Sequence, residues 1–115
     1  MSRDLRGTGI ASALENYFDS ICIGNDGDSE IKKLQLSDSG ILSYDVQIRH
    51  RQVTTIHVPF NGNKNIITYS LTTHATGEIN PRNPDPNKLH FGVDTPFGTV
   101  TVNLTELMQV IATMI

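Results

Sequence analysis

Four histidines have the most versatile side-chain chemistry in this chain. They are His50, His57, His74 and His90, and an imidazole can bind a transition metal or exchange a proton near neutral pH. No His-x-His, His-x-x-x-His or His-x-Glu spacing joins them, so the sequence predicts no metal site and no cofactor. His50 stands apart because it falls on the apolar face of a predicted strand. There a buried imidazole needs a hydrogen-bond partner and could make an oligomer interface sensitive to pH.

An Asp- and Asn-rich loop is the second candidate for ion binding. Carboxylate and amide oxygens are the ligands that calcium prefers. The order of the residues lacks the glycine at position six and the glutamate at position twelve of a calcium-binding loop, so we interpret the segment as a solvated turn. Its oxygen-bearing residues are Asn25, Asp26, Asp28, Ser29 and Glu30.

The sequence contains no recognisable arrangement of residues for nucleophilic catalysis. There is no Gly-x-Ser-x-Gly motif, and the single cysteine, Cys22, lies between two isoleucines, which predicts a buried and unreactive thiol. The carboxylates Asp45 and Glu78 fall on the polar faces of neighbouring predicted strands. We therefore predict no catalytic residues, and a non-enzymatic protein is favoured over an enzyme.

Length and charge restrict the class of protein. A chain of 115 residues with a formal net charge of −3 predicts one domain over 1–115, and its acidic balance argues against nucleic-acid binding. No stretch approaches the roughly 20 apolar residues of a membrane span, and residues 1–18 lack the apolar core of a signal peptide. We therefore expect a cytoplasmic protein, or one exported by a route that leaves no cleavable signal, with no membrane partner. We also expect a flexible N-terminus over residues 1–7 and an exposed Pro-rich loop over residues 80–88.

A long alternation of apolar and polar residues runs from Leu42 to Phe60. A period of two predicts a strand with one face on a core and the other in water. At about 3.3 Å per residue this strand would span roughly 60 Å, far more than the usual five or six residues. It is therefore either bent by a bulge near residues 49–54 or extended beyond its own domain towards another subunit.

The next turn and strand predict a hairpin. Residues 66–79 keep their apolar phase on odd numbers, and residues directly opposite in an antiparallel pair must point to the same face. Gly62-Asn63 and Asn61-Gly62 are both favoured two-residue hairpin turns. The Gly62-Asn63 turn pairs Phe60 with Asn65, Val58 with Ile67, Ile56 with Tyr69, Thr54 with Leu71 and Ile48 with Gly77.

The remaining elements complete an α+β fold. A helix from Thr8 to about Cys22 and a C-terminal helix capped by Asn103 flank the strands, and a second hairpin pairs Val93 with Val100 and Phe91 with Val102. We predict an antiparallel five-stranded sheet, a meander with one over-long central hairpin, covered by the N-terminal and C-terminal helices.

The most favoured function is that of a non-enzymatic, self-associating structural or assembly protein, for example a component of a ring or tube. The over-long hairpin and the unusually apolar C-terminal helix would form the interface of a homo-oligomer. The predicted interface residues are Ile56, Val58, Phe60, Leu107, Ile111, Met114 and Ile115.

Two alternatives remain open at this point. The first is a small-ligand-binding module or small enzyme with a pocket between a curved sheet and its helices, lined by Tyr17, Tyr44, His50 and Tyr69. The second is an inhibitor or adaptor that docks on a protein partner through the Pro-rich loop or an open strand edge.

Overall fold

A computed structural model describes residues 2–115, and the chain folds into two antiparallel sheets and three helices. The first sheet has the strand order β1-β2-β3-β4 and the second contains β5 and β6. The mixed helix and strand composition agrees with the prediction, whereas the single five-stranded sheet is not confirmed. In chain order the elements are β1 (Arg3–Asp4), α1 (Gly9–Asp19), β2 (Asp28–Leu36), β3 (Leu42–Val58), β4 (Gly62–Ile79), α2 (Pro86–Leu89), β5 (His90–Thr95), β6 (Gly98–Asn103) and α3 (Thr105–Met114).

Helix α1 begins at the predicted cap. The Thr8 hydroxyl accepts a hydrogen bond from the Ala11 N–H (3.4 Å) and donates one to the Leu5 carbonyl (2.5 Å). The helix ends at Asp19, one turn earlier than expected. Its apolar stripe packs on the first sheet, and it buries Ile10, Ala11, Leu14 and Phe18.

The N-terminal residues contribute a strand that the sequence did not predict. Arg3 and Asp4 pair with Leu36 and Gln35 on the outer edge of β2. Leu5 then turns inward, is 3% exposed, and donates its N–H to the Leu34 carbonyl. This short strand therefore covers only the C-terminal end of the β2 edge.

The long strand β3 is one continuous strand of 17 residues, and its pairing with β4 contains a bulge within the predicted region. Gln52 pairs with Tyr69, but the next residue, Val53, pairs with Ile67. Thr68 on β4 is therefore the extra residue. The bulge reverses which β4 residues share a face with β3, so Ile66 replaces Ile67 on the face that continues from the core.

The predicted hairpin register is wrong because the turn lies earlier and the bulge was not included. Val58 pairs with Gly62, so the loop comprises the three residues 59–61 and not a two-residue Gly62-Asn63 or Asn61-Gly62 turn. In place of the predicted partners, Ile56 pairs with Lys64, Thr54 with Ile66 and Ile48 with Thr73.

The hairpin turn places Phe60 in an uncommon backbone conformation. The Val58 carbonyl accepts from the Asn61 N–H (3.1 Å), with Pro59 in the second position of the turn. Phe60 occupies the third position with φ 70°, where type II turns usually have glycine. Its side chain is completely exposed.

The second hairpin has the predicted pairing but forms its own sheet. Phe91 pairs with Val102 and Val93 with Val100. The connection from β4 contains three prolines and helix α2, which prevents the tight turn that would place β5 in the first sheet. The hairpin instead packs against β4 through side chains, including an edge-to-face contact between Phe97 and Tyr69 at 5.2 Å.

Helix α3 closes the core against α1. It begins at Thr105 with Leu104 as its N-cap residue, so Asn103 does not cap it in the predicted way. The Asn103 side chain instead accepts from the Thr105 N–H (3.0 Å). The helix contributes Leu107, Met108 and Ile111 to a single core shared by both sheets and both long helices.

The chain is markedly elongated for its length. Its Cα radius of gyration is 17.3 Å, whereas a compact domain of this size would have about 13 Å. The overall dimensions are 63 × 27 × 19 Å. The excess length reflects the distal part of the β3–β4 hairpin, which extends past the partner strand β2.

Candidate assembly surface

The sheet narrows to two strands where β2 stops. The last residue pair between β2 and β3 joins Asp28 to Arg49. Beyond it the loop before β2 follows the β3 edge, with the Ile23 carbonyl accepting from the Arg51 N–H (2.9 Å). The Asn25 side chain makes the last contacts, with both main-chain groups of Val53.

We call residues 54–68 the arm, because within residues 2–115 the side chains of this part of the hairpin form hydrogen bonds only between its own two strands. Those bonds join Thr54 to Thr68, Thr55 to Asn65, and His57 to Asn63. Each of the two strands therefore presents one free edge to its surroundings. A two-stranded ribbon without further packing is only marginally stable in water, and such free edges can pair with another chain.

The arm exposes large apolar side chains. Ile56 is 39% exposed, Ile66 39%, Ile67 56%, and Phe60 fully exposed. By register, Ile56 and Ile66 share one face and Ile67 lies on the other. Apolar groups concentrated on a projecting element are typical of an interaction surface.

The charge of the arm differs from that of the rest of the chain. Lys64 is its only Lys, Arg, Asp or Glu residue, so the arm carries +1 while the remaining residues carry −4 of the formal total of −3. Within residues 2–115, Lys64 forms no ion pair. The arm is therefore weakly cationic and otherwise carries no formal charge, whereas the body is anionic.

A second exposed apolar surface lies on helix α3. Val110 is 51% exposed and Met114 43% exposed, and with Glu106 they are spaced four residues apart, which places them on one helical face. An open groove of about 440 Å³ lies beside this face and is lined by Tyr17, Asn103, Glu106, Leu107 and Val110. We call this the α3 groove.

The predicted interface residues are thus divided between these surfaces and the core. Ile56, Val58 and Phe60 lie on the arm, and Met114 lies on the exposed face of α3. Leu107 belongs to the core, with 8% of its surface exposed in the wall of the α3 groove. Ile111 is fully buried in the chain's own core, and Ile115 is half-buried.

His50 has a structural hydrogen bond in the core. Its imidazole is fully buried, and Nδ1 accepts from the Ile23 N–H (3.0 Å). Nε2 has no hydrogen-bond partner among the described residues. Burial is the larger influence and lowers the pKa of His50, whereas the Asp94 backbone acts in the opposite direction. The neutral imidazole therefore ties the loop after α1 to the first sheet.

The four residues proposed for a ligand pocket do not converge on one cavity in the described structure. The Tyr17 hydroxyl donates to the Asn103 carbonyl (2.9 Å) and accepts from the Asn103 N–H (3.1 Å). Tyr44 lies against Gly77, with a pKa raised by burial. Tyr69 packs on Phe97. The space between α1 and the sheet is filled by side chains that are entirely buried, namely Leu14, Phe18, Leu34, Leu42, Val46 and Ile48.

The oxygen-rich loop is engaged in separate local contacts. Asp28 accepts two hydrogen bonds from the Arg49 guanidinium, both at 3.1 Å, and Asp26 forms an ion pair with Arg51 at 3.3 Å. Ser29 donates its hydroxyl to Asp19. Among the residues that the structure describes, no three His, Cys, Asp or Glu side chains are grouped to hold a metal.

The other reactive side chains are also accounted for by local contacts. His74 and Asp45 interact at 2.9 Å across the outer, polar face of the sheet. No hydroxyl of residues 2–115 forms a hydrogen bond with His74, so a nucleophile and base are not assembled there. Cys22 is half-buried, burial raises the pKa of its thiol, and its Sγ donates to the Phe18 carbonyl (3.4 Å).

Sequence reasoning did not select Lys64, Ile66, Glu106 or Val110 as site residues. Two adjacent isoleucines at 66 and 67 interrupt a strict alternation, and this irregularity was the available signal for the bulge. For Glu106 and Val110 the signal was their four-residue spacing on a predicted helix.

Comparisons with protein-family models, with curated proteins and with solved structures found no match for this chain. None of the helices within residues 2–115 has the length and apolar character needed to cross a membrane.

Proposed function

We propose that this chain is a non-enzymatic structural protein that self-associates through the arm, with a ring or tube as one form of the assembly. The observation that carries this proposal is the arm itself: a ribbon with two free edges and four exposed apolar side chains, whose side-chain hydrogen bonds within residues 2–115 all stay inside the ribbon. Contacts between copies would stabilise the arm, because an isolated two-stranded hairpin is only marginally stable in water.

The conformation of Phe60 favours the same conclusion. A non-glycine residue with positive φ costs about 1 kcal/mol or more, and the fully exposed ring recovers none of it within the monomer. Burial of a phenylalanine at an interface contributes roughly 1.5–3 kcal/mol. Association would therefore offset the backbone cost at the tip of the arm.

The polar groups that could perform chemistry have structural roles instead. The imidazole of His50 holds the Ile23 backbone, and the phenol of Tyr17 holds both main-chain groups of Asn103. This arrangement favours a structural protein over an enzyme.

The proposal is tested with Ile56→Glu, compared with the unmodified chain by sedimentation velocity. Ile56 is partly exposed and lies opposite Lys64, so the carboxylate should leave the fold intact and shift the oligomer to monomer. Thr72→Glu, on the exposed polar face of the same hairpin, is the matched control and should leave the oligomer unchanged. An oligomer that persists in Ile56→Glu, or an unmodified chain that is monomeric, would contradict the proposal.

A further inference from the structure

We infer that the arm of one copy docks in the α3 groove of a second copy, with Lys64 of the arm opposite Glu106 of the groove. This inference rests on the proposed self-association and specifies which surfaces meet. Three features support the arm as the occupant of the α3 groove: the charges of the two surfaces, the spacing of their side chains, and the order of residue types along them.

The two surfaces are complementary in charge. Lys64 is the single formal charge of the arm, and Glu106 is the single formal charge of both α3 and the residues lining the groove. Neither side chain forms an ion pair or a side-chain hydrogen bond within residues 2–115. Each is therefore available to a partner of opposite charge.

The spacing of the groups also agrees. Lys64 and Ile66 lie two residues apart on one strand face, a separation of about 6.7 Å. Glu106 and Val110 lie four residues apart along α3, a separation of about 6 Å. When Lys64 meets Glu106, Ile66 can therefore lie on the exposed side chain of Val110.

The order of the remaining groups continues this match. Towards the tip of the arm, Lys64 is followed by Phe60, and towards the start of α3, Glu106 is followed by Asn103 and the ring of Tyr17. The aromatic side chain of Phe60 would thus enter the open volume of about 440 Å³ beside Tyr17. Aromatic residues seated in pockets are the usual source of binding energy at interfaces.

This contact joins two different surfaces of the chain. It is therefore satisfied either by reciprocal exchange of arms in a dimer or by head-to-tail repetition that closes into a ring. In both cases every copy donates one arm and accepts another.

A charge-exchange experiment tests the inference. Lys64→Glu and Glu106→Lys would each place like charges in contact and are expected to weaken association about tenfold, the equivalent of about 1.4 kcal/mol. The double variant Lys64→Glu/Glu106→Lys restores opposite charges in exchanged positions and should return the dissociation constant to within about threefold of the unmodified chain. The control is Lys33→Glu, at an exposed position of β2. It changes the net charge by the same amount as Lys64→Glu and should leave the dissociation constant unchanged.

Sedimentation equilibrium on the five proteins separates the outcomes. Restoration in the double variant supports the inference. If the unmodified chain associates but the double variant is no better than the weaker single variant, the inference is wrong while self-association stands. If the unmodified chain does not associate, the proposed function is wrong as well.

A second variant avoids dependence on the folding of Glu106→Lys, because a carboxylate in the first turn of α3 helps that helix to form. Val110→Lys lies on the exposed face, so it should fold normally and weaken association about tenfold or more, the equivalent of at least about 1.4 kcal/mol. Unchanged association in Val110→Lys would place the arm outside the α3 groove and overturn the inference.

Discussion

The side chain of Asn25 forms hydrogen bonds with both main-chain groups of Val53: Nδ2 donates to the carbonyl (2.7 Å) and Oδ1 accepts from the N–H (2.9 Å). One amide side chain thereby replaces the strand that would otherwise continue the sheet along β3. The contact marks the end of the body, because from Thr54 onward the β3 edge has no partner in the described chain. The folded body and the arm thus meet at a defined position.

Removal of this side chain should destabilise the body. Asn25→Ala eliminates two hydrogen bonds to the β3 edge, and we expect the free energy of unfolding to fall by about 1–2 kcal/mol. Chemical denaturation monitored by circular dichroism provides the measurement. Asn83→Ala is the control, because the Asn83 side chain is exposed and forms no hydrogen bond within residues 2–115. An equal loss of stability in both variants would contradict the role assigned to Asn25.

His50 should make the stability of the fold depend on pH. Its pKa is lowered in the folded state by burial, so the unfolded chain binds more protons between the usual value near 6.5 and the lower folded value. Stability is therefore complete above about pH 6.5 and decreases on acidification by at most about 1.4 kcal/mol per pH unit, until the folded pKa is passed.

The contribution of His50 is obtained by comparing the pH dependence of the unfolding free energy in the unmodified chain and in the His50→Asn variant. The asparagine Oδ1 can still accept from the Ile23 N–H, but the side chain does not titrate. Subtraction of the variant's profile from that of the unmodified chain, measured by denaturation between pH 4.5 and 7.5, should leave a single decrease below about pH 6.5. Parallel profiles for the two proteins would show that His50 does not contribute.

Tyr44 and Gly77 should be energetically coupled. A Cβ at position 77 would lie 2.9 Å from the Tyr44 hydroxyl oxygen and 3.2 Å from the carbon that bears it. Gly77→Ala should therefore cost about 1–3 kcal/mol by overpacking. In the Tyr44→Phe background the closest clash is absent, so the same substitution should cost less. A double-mutant cycle of unfolding free energies measures the difference, and additive effects would contradict the contact.

Phe60 should lower the stability of the monomer and increase its association. Phe60→Asn places a residue that tolerates positive φ at the tip, so the unfolding free energy of the dilute protein should rise by up to about 1 kcal/mol. The same change removes the exposed ring, and we expect the dissociation constant of the assembly to increase about 10- to 100-fold.

The matched control for Phe60 is Phe97→Asn, which removes another exposed phenylalanine from a hairpin turn. Phe97 contacts Tyr69 within its own chain, so its loss should lower stability by about 0.5–1.5 kcal/mol without changing association. Denaturation and sedimentation of both variants give the two quantities. If Phe60→Asn and Phe97→Asn weaken association equally, the arm has no special role.

The parts of the fold that depend on local patterns were predictable from the sequence. Three features each follow from a cap, an alternation or an interruption of an alternation: the start of α1 after Thr8, the pairing of Val93 with Val100, and the register shift beside Gln52. These signals extend over a few residues, so they do not require knowledge of tertiary packing.

The register and the division into two sheets were not predictable in the same way. Asn-Gly and Gly-Asn were favoured as turns, yet Pro59 in the second turn position moved the turn earlier despite the backbone cost at Phe60. The bulge at Thr68 then reversed the faces of β4. Separation of β5 from β4 depends on the path of the Pro-rich connection, for which the alternation of β5 contains no information.

The candidate site was predictable only in outline. An over-long hairpin and an apolar terminal helix indicated the two surfaces, but Ile111 was assigned to an interface although it is buried. Apolar periodicity cannot distinguish burial in the same chain from burial against another copy, because both remove the same area from water.

The most direct test of self-association is the absolute mass of the unmodified chain in solution, measured by light scattering on a sizing column over a wide range of concentrations. Self-association through the arm predicts a multimer whose mass is a multiple of the 12.7 kDa chain and which dissociates only on dilution. A species of 12.7 kDa at the highest concentration would contradict it.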